Sequence, residues 1–256
     1  MNVGLLWKSL AVVGGGLAAS RPAHPDEVAP SAGRVPVVVE LFTSEGCSSC
    51  PAADAALREL EIAQSVPGAE VIVLGEHVDY WNRLGWKDAF SASAYTERQR
   101  RYAQGFGTGS YTPQAVVSGR YELVGSRTAD LATAVARAAK APQAAVAVAV
   151  KDGVARVQVS SVPAGTAASK VLLAITESGL ASQVGRGENA GRLLRHAPVV
   201  RQLLPLGPVS TDGTFAATAT LKLAPEWQRP NLRVVALVQE TASRRVVGVG
   251  AAAVGN

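Results

Sequence analysis

The sequence predicts an α/β domain with the element order βαβαββα, followed by a smaller all-β, sandwich-like domain. Up to about residue 140, short β-branched apolar runs alternate with amphipathic stretches of helical period; after Pro142 only strand-like runs recur. A chain of 256 residues exceeds the usual size of one domain. Its 48% hydrophobic and 18% charged residues are ordinary for globular protein, so each half has enough apolar side chains for a core.

The first element is a leader. Residues 1–22 carry Lys8, the apolar run "SLAVVGGGLAA" and the small residues Ala18, Ala19 and Ser20, and read as a secretory signal. Too few apolar residues follow Lys8 to cross a bilayer, which takes about 20, so no stable membrane span is expected after signal cleavage. Residues 23–34 form a proline-containing linker. The expected location is periplasmic or secreted, where a disulfide is permitted.

Residues 35–141 make the first domain. "VPVVVELFT" (35–43) is a buried strand. From Ser48 the pattern becomes "SSCPAADAALRELEIA", a helix with Leu57, Leu60 and Ile62 inward and Arg58, Glu59 and Glu61 outward. Pro51 suits its first turn, whose amides have no intrahelical acceptor. "AEVIVLGEHVDYW" (69–81) is a second strand whose end places His77, Asp79 and Trp81 on one face. "SASAYTERQRRYAQGFG" is a helix capped by Ser91 or Ser93. "TPQAVVSG" and "YELVGS" are two short strands joined through Gly119 and Arg120, and "RTADLATAVARAAKA" is the last helix.

Residues 142–256 make the second domain. "AAVAVAVKDGVARVQVSS" contains an Asp-Gly hairpin turn, and "KVLLAITES", "TFAATATLKLA", "NLRVVALVQET" and "RRVVGVGAAAV" continue as strands. The stretch "SQVGRGENAGRLLRHAPVVRQL" interrupts them as an inter-strand excursion, with Arg186, Arg192, Arg195 and His196 as a candidate anion or partner site.

Cys47 and Cys50 are the chain's two cysteines, at the junction of the first strand and first helix. As a staple they close too small a loop to contribute much, about 2 kcal/mol on a chain-entropy view. As a structural zinc site they lack partners, since the histidines are only His24, His77 and His196. The reading that fits the position is a redox pair: a thiolate at a helix N-terminus exchanges with a disulfide, and the second thiol resolves the mixed intermediate. Cys47 is the expected exposed nucleophile and Cys50 the resolving thiol. Glu45, two residues away, opposes thiolate formation if it is close and ionised. Thr112-Pro113 stands just before the third strand; resemblance to thioredoxin-like oxidoreductases, which carry a cis-proline against the CxxC at that place, implies a cis bond that presents backbone to a substrate, with a trans proline starting an edge strand as the alternative.

This order, with a CxxC at the first junction and a proline before the third strand, is that of the minimal thioredoxin core. The stretches "VELFTSEGCSSCPAAD", "HVDYW", "GWKDAF", "YTPQAVVSG" and "GENAGRLLRHAPVVRQL" together resemble the secreted thioredoxin-like family listed as domain of unknown function 1223. The resemblance implies a thioredoxin-like fold with an appended domain and no established substrate. Ser-Ser stands between the cysteines rather than Gly-Pro, and no tryptophan precedes the first one.

The function expected is an exported thiol-disulfide oxidoreductase acting on protein thiols or disulfides, with Cys47, Cys50 and Pro113 catalytic. Thr112, Glu45, His77, Asp79 and Trp81 line the substrate side, with no cofactor and no resident metal. His77 or Asp79 would handle protons, or the His77–Trp81 cluster would only fix the loop through Trp86. Two rivals stay open: a redox-inactive binding module on the same scaffold, and a copper(I)-binding protein using Cys47, Cys50 and His77. The net charge of +5 comes from dispersed arginines, and with 5% aromatics and no nucleic-acid motif the sequence points away from nucleic acid.

Overall fold

A computed structural model describes residues 33–255; the expected signal and most of the expected linker, with His24, lie outside the described residues. The first half runs β1 (Val35–Thr43), α1 (Cys50–Ala63), β2 (Ala69–His77), α2 (Ser93–Phe106), β3 (Gln114–Val117), β4 (Tyr121–Val124) and α3 (Thr128–Ala138). The second half is strands: β5 (Ala145–Lys151), β6 (Val154–Ser160), β7 (Ser169–Glu177), β8 (Ala181–Gln183), β9 (Leu193–Arg195), β10 (Val199–Pro208), β11 (Phe215–Thr220), β12 (Leu232–Glu240) and β13 (Val246–Ala253).

The expected thioredoxin-like domain followed by a separate sandwich is not what forms. The protein is mostly β, and one mixed eight-stranded sheet, ordered β13-β12-β7-β10-β2-β1-β3-β4, runs through both halves. The seam is the β2–β10 pair: Val199 lies in parallel register with Gly75, whose N–H donates to the Pro198 carbonyl at 2.7 Å. The reason lies in burial. β7 and β12 are buried on both faces over almost their whole length, as central strands are, whereas a small sandwich would leave one face wet. Apolar periodicity reports how deeply a strand is buried and not which strand it pairs with.

Both faces of this sheet are covered. α1 and α3 pack on one face of the first half, around Val37, Val39, Leu41, Leu57, Val71, Val73, Leu131 and Val135. On the opposite face Val38, Ile72, Leu74 and Tyr95 share a cluster with Leu172, Ala174, Val235 and Leu237. The sheet β11-β6-β5 covers Val171, Leu173, Ile175, Val234, Ala236 and Val238. The large sheet curls, so that the Val246 N–H at the start of β13 donates to the Ser118 carbonyl after β3 at 2.9 Å.

Local expectations also shift. Ile62 is 83% exposed, while Glu61 turns inward and accepts the Val73 N–H at 3.0 Å. The α2 N-cap is Ala92, without a side-chain cap bond.

Candidate functional site

β1 ends at Thr43, and Ser44 to Ser49 turn into α1, which opens on Cys50 with Pro51 in its first turn. The two cysteines form a disulfide with Cα atoms 5.4 Å apart. Both are only 1% exposed, whereas Ser48 and Ser49 between them are exposed. Cys47 is therefore not the open thiol that the sequence predicts. Its cover comes from the interrupting stretch of the second half, where β8 and β9 pair as a short hairpin. Asn189 Nδ2 donates to the carbonyls of both Glu45 and Cys47 at 2.9 Å. Glu188 Oε2 accepts the Ser48 N–H at 3.0 Å, and Arg58 donates to the Arg195 carbonyl.

Glu45 is buried and bonded rather than solvent-facing: Trp86 Nε1 donates to its Oε2 at 2.6 Å, and its Oε1 lies 3.3 Å from His196 Nε2. Burial raises its pKa, the His196 hydrogen bond lowers it, the nearby Asp88 charge raises it, and bonds from Ser182 and Trp86 bring the net below the usual carboxylate value. His77 Nδ1 is 2.7 Å from Asp88 Oδ2, which also accepts the Glu45 N–H at 2.9 Å. Burial pulls the His77 pKa down, but Asp88, by charge and hydrogen bond, with Asp54 and Glu45, outweighs it and leaves the imidazole raised. Burial likewise raises Asp88, and His77 reverses it to a net lowering.

The predicted face of His77, Asp79 and Trp81 does not form, because β2 ends at His77 and the chain turns away. Asp79 Oδ1 accepts the Thr96 hydroxyl at 2.6 Å. Trp81 instead bridges two predicted parts. Its Nε1 donates to Thr112 Oγ1 at 2.8 Å, and it packs on Gly46, where an added Cβ would meet its Cβ at 3.2 Å. Thr112-Pro113 is cis. The Pro113 carbonyl accepts the Gly125 N–H at 3.0 Å, and Gly125 in turn faces Ala53, one turn past Cys50.

Sequence reasoning missed Asp54, Asp88, Ser182, Asn189 and the inward role of His196. Asp54, on α1, accepts from Thr43 Oγ1 at 2.8 Å and from the Ala197 N–H at 2.9 Å. The available signal was composition: His196 and "GEN" sit in a stretch that interrupts the strand pattern of the second half.

Fold and site together define a mostly-β protein with a buried Cys-x-x-Cys disulfide at a strand–helix turn, roofed by a segment about 140 residues away. The chain belongs to the family described as "Protein of unknown function (DUF1223)", whose model matches residues 38–239. The crystal structure of protein AGR_C_4864 from Agrobacterium tumefaciens is similar, 28% identical over 87% of this chain and 96% of that one, with a TM-score of 0.68. HBP35 of Porphyromonas gingivalis, 16% identical over 86% of this chain and 76% of that one, shares the fold with a TM-score of 0.59. No curated protein matches the chain. Among the described residues no helix is long and apolar enough to cross a membrane; this and the intramolecular disulfide are compatible with an exported protein.

Proposed function

We propose that the protein is an exported thiol-disulfide oxidoreductase, periplasmic or secreted, that exchanges with protein thiols through Cys47 and Cys50. The observation that carries this reading is the Cys47–Cys50 disulfide at the N-terminus of α1, whose two intervening residues, Ser48 and Ser49, are exposed. A substrate thiolate attacks the sulfur of Cys47; the Cys47–Cys50 bond breaks and Cys50 leaves as a thiolate that takes up a proton. A second substrate thiolate then attacks the mixed disulfide, releasing oxidised substrate and the Cys47 thiolate, so two electrons pass to the pair. Free amides at the start of α1 favour the thiolates formed. Thr112, fixed by Trp81, and Pro113 present backbone to the substrate.

In a Cys50→Ser variant the exchange can be entered only from the other side: the Cys47 thiolate attacks a substrate disulfide, one substrate thiolate leaves, and the chain holds no second thiol to resolve the mixed disulfide. Acid-quenched cells should then yield Cys47-dependent mixed disulfides, and their absence would refute turnover. Equilibration of the wild type in glutathione buffers should give a potential near or above about −200 mV, as for exchange-active pairs.

The burial of both cysteines and the clamp of Asn189 on the Cys47 carbonyl favour a second reading, a binding module whose disulfide does not turn over. It requires a potential below about −300 mV and slow exchange. The copper(I) reading needs two thiolates, which a disulfide does not supply.

A further inference from the structure

Behind the disulfide turn, three buried side chains from distant parts of the sequence converge. Asp54 comes from α1, His77 from the end of β2, and His196 from the residue after β9. One ligand atom from each lies within 4.8 Å of the other two. His77 is 1% exposed, its Nδ1 is taken by Asp88, and its Nε2 is buried with no hydrogen-bond partner. A buried ring nitrogen is rarely left unpaired unless something else fills its lone pair.

We propose that Asp54, His77 and His196 form a binding site for a divalent transition-metal ion of the zinc class. Two imidazoles and one carboxylate are a donor set such ions take. Donors about 2.0–2.2 Å from a tetrahedral zinc stand roughly 3.3–3.6 Å apart, so the three atoms need to close by about 1.5 Å at most. The surroundings match what orients metal ligands. Asp88 holds His77 through the opposite ring nitrogen, which fixes the tautomer and leaves Nε2 to bind. Thr43 and the Ala197 N–H fix the Asp54 carboxylate while each oxygen keeps a free lone pair. Ser182 Oγ, 3.2 Å from His196 Nε2, and Glu45 Oε1 position the second imidazole. The carboxylates of Glu45, Asp54 and Asp88 gather here in the interior, and a dication balances them. Neither cysteine belongs to this donor set.

The test is calorimetric titration of zinc chloride into the chelator-stripped full chain with its disulfide intact. One equivalent should bind. His196→Gln and Asp54→Asn should each weaken binding by more than about 100-fold, and Asp88→Asn by about 10–100-fold as an orienting residue. A Cys47→Ser/Cys50→Ser protein should bind zinc as the wild type does. Absence of stoichiometric binding, binding that survives His196→Gln, or binding lost with the cysteines would overturn the proposal. Should His196→Gln fail to fold, cobalt(II) in the wild type decides. A tetrahedral d–d band without sulfur charge transfer supports the site; a thiolate band, or no band, sinks it. Thiol exchange enters none of these readouts, so this site and the redox proposal fail separately.

Discussion

Asn189 ties two carbonyls of the cysteine turn to the second half of the chain. Asn189→Ala leaves both carbonyls without that donor. The expected loss is about 1–3 kcal/mol of stability by urea unfolding, together with faster reduction of Cys47–Cys50 by dithiothreitol in a thiol-alkylation time course. An unchanged reduction rate would mean that the clamp does not guard the disulfide. Gly75→Ala tests the seam: the new Cβ would sit 2.9 Å from the Pro198 carbonyl oxygen, backbone that cannot step aside. A destabilisation of about 1–3 kcal/mol is expected from overpacking, read as a lower urea midpoint. Much of the site was legible residue by residue. The cysteines announce their turn by spacing, and Thr112-Pro113 by its place before β3. Asn189 and the inward role of His196 were not, because a side chain that matters only through a partner some 140 residues away leaves no periodic mark near itself.

Where the elements meet, a buried polar knot joins β1, β2, α2 and β12. Tyr102 Oη donates to Glu40 Oε1 at 2.6 Å, Arg98 Nε to Glu40 Oε2 at 2.5 Å, and Arg98 Nη1 to Gln239 Oε1 at 3.1 Å. Arg98 Nε also lies 3.3 Å from Glu76 Oε1. Arg98→Met should cost about 3–5 kcal/mol, because the Glu40 carboxylate would be left buried without its cation. Burial pushes the Glu76 carboxyl well above its ordinary value; Arg98 opposes this and the Glu40 charge adds to it. The native state therefore holds a proton that the unfolded chain has released. The contribution of Glu76 is complete below the unfolded carboxyl pKa near 4.3 and is lost as pH rises through the folded value, at about 1.4 kcal/mol per unit of difference. Glu76→Gln should flatten that decline and gain over the wild type in urea midpoint from acid to alkaline pH; parallel curves would refute it. The elements themselves were largely readable. β1, α1, β2, α2, β3, β4 and α3 fall close to their predicted spans, since each carries a clear period or a turn residue. The inward Glu40 and Glu76 on strands and Glu61 on α1 were not, because a buried carboxylate is stabilised by neighbours that only the fold supplies.

At the scale of the whole molecule, the one sheet decides how the chain unfolds. β10 sits between β2 and β7, so neither half has a complete sheet without the other. A single cooperative transition is expected, with far-ultraviolet circular dichroism and tryptophan fluorescence superimposing through the urea titration; Trp81 and Trp86 report on the first half and Trp227 on the second. Two separated transitions would show that the halves are independent. Strand pairing is where the sequence was silent: the runs of β7 and β12 declare burial but not the strands they pair with, while the placing of β10 beside β2 rests on the single register match at Gly75 and Val199. This arrangement also has a consequence for biosynthesis. Chains fold as they emerge, N-terminal part first. Until residues 182–199 have docked, the folding protein carries its thiols without their roof and β2 as an open edge, the kind of surface on which chains stick to one another. The interval between the emergence of Cys50 and the docking of Asn189 is thus when an oxidant has freest access to the pair and when a chaperone has most to shield.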